Sequence, residues 1–198
     1  MTVEAETTGG SDASIGELGR LGRTRQLASA ALIAALMAGT SWITIHVGPV
    51  PFTLQTTFIL LAALLLTPGW AAASMLLYLA LGALGLPVFA GGVGGLGAFA
   101  LPTGGFLVSF PFAAAAGSLV YRALDRNGAQ RGLGPSISAV IAVEVVVYAV
   151  GIPWLAHVTG MSLTRALAVA TIPFLVPDAI KAFIAVVIAT AVRRALAD

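Results

Sequence analysis

Cysteine is absent from these 198 residues, lysine occurs once, histidine twice, and charged side chains make up only 9% of the chain. The first absence excludes disulfides and thiolate metal sites and leaves the redox compartment unread. His46 and His157 are widely spaced and have no carboxylates at ligand spacing, so no metal and no cofactor is expected. A net charge of +2 drawn from so few residues makes no basic stripe for nucleic acid. The phosphate-binding P-loop needs a lysine directly after its glycine, whereas the single lysine, Lys181, follows Ile180. Any ATP-driven work must therefore come from a partner. Ser109 and the histidines stand in no recognisable nucleophile–base motif, so enzyme activity is not expected either.

What fills the chain is apolar: 59% of residues are hydrophobic, and the mean hydropathy is +1.00. Those values lie outside the range of ordinary water-soluble domains. About 20 apolar residues cross a bilayer as a helix, so the material suffices for roughly six crossings. Apolar runs bounded by Gly, Pro and charge fall at about 26–46, 52–67, 70–87, 105–124, 135–156 and 165–195. The expected fold is an all-α integral membrane protein, six transmembrane helices in one compact bundle over residues 21–198. Residues 1–20, rich in Thr, Ser, Gly and acids, read as a disordered tail.

Arginine position sets the orientation. With a cytoplasmic N-terminus, Arg20, Arg23, Arg25, Arg122, Arg126, Arg131, Arg193 and Arg194 share one side, and only Arg165 falls on the other. The positive-inside rule then places both termini in the cytoplasm of a cell-membrane protein. The last apolar run holds Pro173 and Pro177, so a continuous straight helix is not expected. Pro177 suits the first position of the final helix, which puts Asp178 in its first turn and Lys181 one turn later on the same face.

The outer loops carry their own signals. GLPVFAGGVGGLGAFALPTGGF, residues 85–106, is dense in glycine, and bare backbone there allows close approach to a ligand. Gly92, Gly94 and Gly97 match a dinucleotide fingerprint in spacing alone, since no strand precedes them. In HVGPVPFTLQT, residues 46–56, Pro49 and Pro51 stiffen the entry to a helix that starts near Thr53 and Gln55. Trp42, Trp70 and Trp154 lie near span ends and read first as an aromatic belt, with Tyr148 and Trp154 as alternative cavity walls.

Three ionisable groups remain inside the spans: Glu144, Asp178 and Lys181. Each costs roughly 2.5–3.5 kcal/mol on insertion scales and must face the bundle interior with a partner. Replacing Asp178 and Lys181 with apolar residues would pack as well or better, so their retention points to a polar ligand near the outer face. Glu144 reads best as a packing group hydrogen-bonded across the bundle. In the first run, Ala30, Ala34 and Ala38, flanked by Ala31, Ala35 and Gly39, form small-residue ridges that let another helix come close.

VPFTLQT at 50–56, YLALGALGLPVFAGG at 78–92, GGLGAFALPTGGF at 94–106 and PDAIKA at 177–182 follow one another in an order that resembles the BioY family. These are the biotin-binding S-components of energy-coupling factor (ECF) transporters, and the resemblance runs from about residue 26 to 195. It implies a substrate-capture subunit that delivers biotin with a membrane-embedded T-component and two cytoplasmic ABC ATPases. In that family the aspartate and lysine of the last helix belong to the biotin site; here they map onto Asp178 and Lys181. Gln55 and Thr53 are then expected to complete the polar contacts, and Phe52, Tyr78, Phe89 and Trp154 the apolar walls. Thr103 and Gly104 would close over the ligand, with the backbone of Gly91 and Gly92 serving where some relatives carry polar side chains. The same resemblance implies that the alanine ridges dock the T-component. A small proton-coupled carrier of a vitamin-like substrate, with Glu144 and Asp178 exchanging protons, is the alternative; no inverted repeat supports it.

Overall fold

The computed structural model describes residues 8–47, 49–125 and 133–195. Helix α1 (Thr8–Gly39) leads into a hairpin of β1 (Thr44–Val47) and β2 (Val50–Thr53), followed by α2 (Gln55–Leu65) and α3 (Pro68–Ala83). The glycine-rich loop comes next, with short 3-10 turns at Ala90–Gly92 and Leu96–Ala100. Then come α4 (Gly104–Leu124), α5 (Gly134–Thr159), α6 (Leu163–Thr171), one 3-10 turn at Ile172–Phe174, and α7 (Leu175–Ala195). With α6 and α7 taken as one bent helix, the chain forms the six-helix membrane bundle expected of it. Among the described residues, Gly104–Leu124, Gly134–Thr159 and the bent Leu163–Ala195 are long and apolar enough to cross a membrane, whereas α2 and α3 are shorter. Outward faces carry Leu32, Val145, Phe183 and Val187, all largely exposed, as suits a lipid surface.

Helix α4 lies at the centre, along α5 and against α2 and α3, while α7 packs on α2 and α1 on α3. At Gly117 the approach is so close that a Cβ would collide with Val143 of α5 and Ala63 of α2. A smaller cluster of Ile152, Leu155, Ala166 and Ala170 ties α5 to α6. The end of α2 shows how backbone groups are satisfied without water. Ser118 Oγ donates to the Leu66 carbonyl at 2.6 Å, Arg122 Nε to the same oxygen at 3.4 Å, and Arg193 to the Leu64 carbonyl at 3.2 Å. Gln26 Oε1 accepts from the Thr67 N–H at 3.0 Å. Four side chains from three other helices therefore hold one short helix end.

Several elements differ from the sequence expectation. The first outer loop is an antiparallel hairpin, with Pro51 opposite His46. Both strands of a two-stranded ribbon are edges, so a residue without an N–H fits there. Helix α2 consequently starts at Gln55, because Phe52 and Thr53 belong to β2. Helix α1 begins at Thr8, so residues 8–20, expected as part of a disordered tail, continue the helix. Once the apolar turns have nucleated it, each added residue gains a hydrogen bond. The break in the last run falls at Pro173, and α7 starts two residues before Pro177. Pro177 still lies in the first turn, where its missing N–H removes no intrahelical bond.

The alanine ridges also need correction. Ala30 and Ala34 are buried inside the chain's own bundle, and Ala38 packs partly against it. Only Ala31, Ala35 and Gly39 face outward. Residues 1–7, Arg126 and Arg131 lie outside the described residues, as do the side chains of Arg20 and His46.

Candidate binding site

The first two turns of α7 place Asp178 and Lys181 on one face, where Lys181 Nζ lies 2.6 Å from Asp178 Oδ1. The two side chains are only 15% and 6% exposed. From α5, Tyr148 donates its hydroxyl to Asp178 Oδ2 at 2.7 Å. From β2, the Phe52 ring stands with its centroid 4.6 Å from the ammonium. Lys181 is thus compensated by a carboxylate on one side and an aromatic face on the other.

This cluster opens into a cavity of about 790 Å³, including its mouth. Thr53 and Gln55 line it from the hairpin and α2, Phe89 and Thr103 from the glycine-rich loop and its end, and Asp178 and Lys181 from α7. Two further aromatic walls come from α4, Phe106 and Phe110, and one from the α6–α7 bend, Phe174. The lining is therefore apolar around a few polar groups.

Other residues expected at the site stand behind it. Tyr78 is fully buried; its hydroxyl accepts from Gln55 Nε2 at 2.6 Å and donates to the Val88 carbonyl at 2.9 Å. This chain of bonds ties α2, α3 and the start of the loop together, so Tyr78 positions Gln55 rather than forming a wall. Trp154 is 37% exposed and donates Nε1 to the Leu101 carbonyl at 3.0 Å, outside the cavity lining. Gly91 gives its N–H to Thr44 Oγ1 at 3.1 Å, so its backbone fixes the loop to the hairpin. Gly92, at φ +75°, lies against the Trp42 ring. Gly104 opens α4 with its Cα against the Phe99 carbonyl, where a Cβ would collide. Neither these three glycines nor Trp154 lines the cavity.

Two lining residues differ from the first expectation of the sequence, with the cavity wall its alternative for Tyr148. Tyr148, assigned first to an aromatic belt, is bonded to Asp178, and Glu144, assigned to packing, faces the same cavity. The available signal was their i, i+4 spacing, which puts both on one face of α5. It becomes decisive only once α5 is known to stand opposite Asp178.

Residues 10–198 match the model of the BioY family over nearly the whole chain. The chain belongs to the BioY family. Among BioY relatives, the probable biotin transporter BioY of Pyrococcus horikoshii is 37% identical over 167 residues, covering 84% of this chain and 95% of the relative. The biotin transporter BioY of Rhizobium etli is 39% identical over 176 residues, covering 85% and 93%. A crystal structure of the S-component for biotin from an ECF-type ABC transporter superposes with a TM-score of 0.80 at 30% identity, covering 87% of this chain and 92% of that one. The BioY relatives are transporters, and the fold is that of an ECF S-component.

Proposed function

We propose that this chain captures biotin as the membrane substrate-binding subunit of an ECF-type ABC transporter and catalyses no reaction itself. The observation that carries this reading is the buried Asp178–Lys181 pair, braced by Tyr148 and Phe52, at the wall of an otherwise apolar cavity. Biotin matches that lining: a ureido group with two N–H donors and a carbonyl, an apolar sulfur ring, and a carboxylate on a flexible chain. Asp178 accepts from the ureido N–H, Lys181 donates to the ureido carbonyl, and Phe89, Phe106 and Phe110 cover the ring. A substrate carboxylate at Lys181 would crowd Asp178 with a like charge, so the ureido end sits at the pair. The carboxylate then lies among the hydroxyls of Thr53 and Thr103. Equilibrium binding of labelled biotin to the purified protein is expected to be saturable, with one site per chain and an affinity in the nanomolar-to-micromolar range. Absence of binding would remove the proposal.

Delivery into the cell requires the partners of such a subunit, a membrane T-component and two cytoplasmic ATPases, with the arginine-rich helix ends facing the cytoplasm. Ala31, Ala35 and Gly39 are the small residues of α1 left facing outward, and they supply the docking ridge. Ala35→Trp is expected to lower biotin uptake several-fold in cells containing the partner subunits while leaving biotin affinity unchanged. If affinity falls in parallel, or uptake is unaltered, the ridge is not the docking face.

A further inference from the structure

We infer that Glu144 is a substrate-contacting specificity residue whose carboxyl oxygen accepts one ureido N–H, with Asp178 taking the other. The inference rests on the biotin reading above. Both Asp178 oxygens are already engaged, Oδ1 by Lys181 and Oδ2 by Tyr148. A carboxylate offers about four lone-pair sites, so two remain on Asp178, but the two N–H groups of a cyclic urea point away from each other and one carboxylate does not reach both. Glu144 Oε1 is different. It has no hydrogen-bond partner among the described residues and no face open to solvent, so the side chain, which already lines the cavity, must rotate to present it to a ligand. An acceptor buried that way is costly, and a carboxyl kept only for packing across the bundle would be expected to hold a protein donor.

Position supports the assignment. Glu144 lies one turn before Tyr148 on α5 and lines the main cavity together with Tyr148, Asp178 and Lys181. It also borders a second, more open hollow on the other side of that wall, shared with Tyr148, Asp178 and Thr171. The side chain thus stands in the partition between the two spaces, beside the pair that receives the ureido group. Biotin brings two N–H donors of fixed geometry, and two acidic side chains from α5 and α7 meet them. A ligand with one of those donors removed should then lose what Glu144 supplies.

The test compares biotin with its two ureido N-methyl isomers on the purified full-length wild type, Glu144→Leu and Glu144→Gln. Glu144→Leu should weaken biotin about 3- to 100-fold, the span from a neutral hydrogen bond to one with a charged group, and Glu144→Gln, which keeps an acceptor oxygen, should weaken it less. For one N-methyl isomer, wild type and Glu144→Leu should bind equally weakly, because the partner bond is already gone. Unchanged biotin affinity in Glu144→Leu, or the same loss for biotin and for both isomers, would overturn the inference while leaving the biotin reading intact. If Glu144→Leu does not fold, the same comparison is made with Glu144→Gln. Failure of the wild type to bind biotin would overturn both.

Discussion

Replacing Asp178 with Leu and Lys181 with Met together is expected to leave the protein at least as stable as the parent while weakening biotin binding by about 100- to 10,000-fold. Each charge costs roughly 2.5–3.5 kcal/mol to place within the membrane. Exchanging a buried ion pair for apolar residues of similar size is often neutral or stabilising by about 1–4 kcal/mol. Binding moves the opposite way, since the ureido carbonyl and N–H lose partners worth about 1.5–3 kcal/mol each, and every 1.4 kcal/mol is about tenfold. The single variants separate the two effects. Asp178→Asn leaves Lys181 buried against the Phe52 ring without its ion-pair partner, and Lys181→Ala leaves Asp178 with the Tyr148 hydroxyl. Breaking a buried pair this way costs about 3–5 kcal/mol, so each single variant should be less stable than the double. Thermal unfolding in detergent and equilibrium biotin binding on all four proteins provide the check. A double variant that keeps its affinity, or one less stable than both singles, would show that the pair is there for architecture.

This contrast also explains what the sequence makes legible. The bilayer allows few ways to satisfy a backbone, so hydropathy and arginine placement suffice to indicate a six-helix membrane bundle. Helical periodicity puts Asp178 and Lys181 on one face without any knowledge of tertiary structure. The hairpin is less accessible: Pro49 and Pro51 stiffen a helix entry and tolerate an edge strand equally well, and pairing depends on the opposite strand. On α1, small residues occupy neighbouring stripes, so their sizes do not reveal that Ala30 and Ala34 turn inward while Ala31 and Ala35 turn out. Tyr148 near a span end satisfies the usual belt pattern, and only the placement of α5 opposite α7 shows its hydroxyl on Asp178. The site was legible where one helix defines it and hidden where two helices meet.

The aromatic wall contributed by the glycine-rich loop provides the other large effect. Phe89 is 2% exposed, lines the cavity, and is held edge-on by Tyr78 and Phe99 at ring-centroid separations of 5.5 and 5.6 Å. Its ring rests on Gly82 of α3 so closely that a Cβ at that position would overlap it. Gly82→Ala must therefore displace the ring, because helix backbone behind Gly82 gives less readily than a side chain facing an open cavity. Overpacking of this kind costs about 1–3 kcal/mol. If the displaced ring enters the space taken by the sulfur ring of biotin, affinity should fall about 10- to 100-fold. Phe89→Leu removes the overlapping atoms but also the two edge-on contacts, so alone it should weaken binding moderately. Combined with Gly82→Ala, it should recover part of the lost affinity, giving a coupling between two residues that do not both touch the ligand. Binding measured on the four members of that cycle distinguishes the cases. Strictly additive losses would mean that Phe89 yields freely, and that the loop wall is not held in place by its seat on α3.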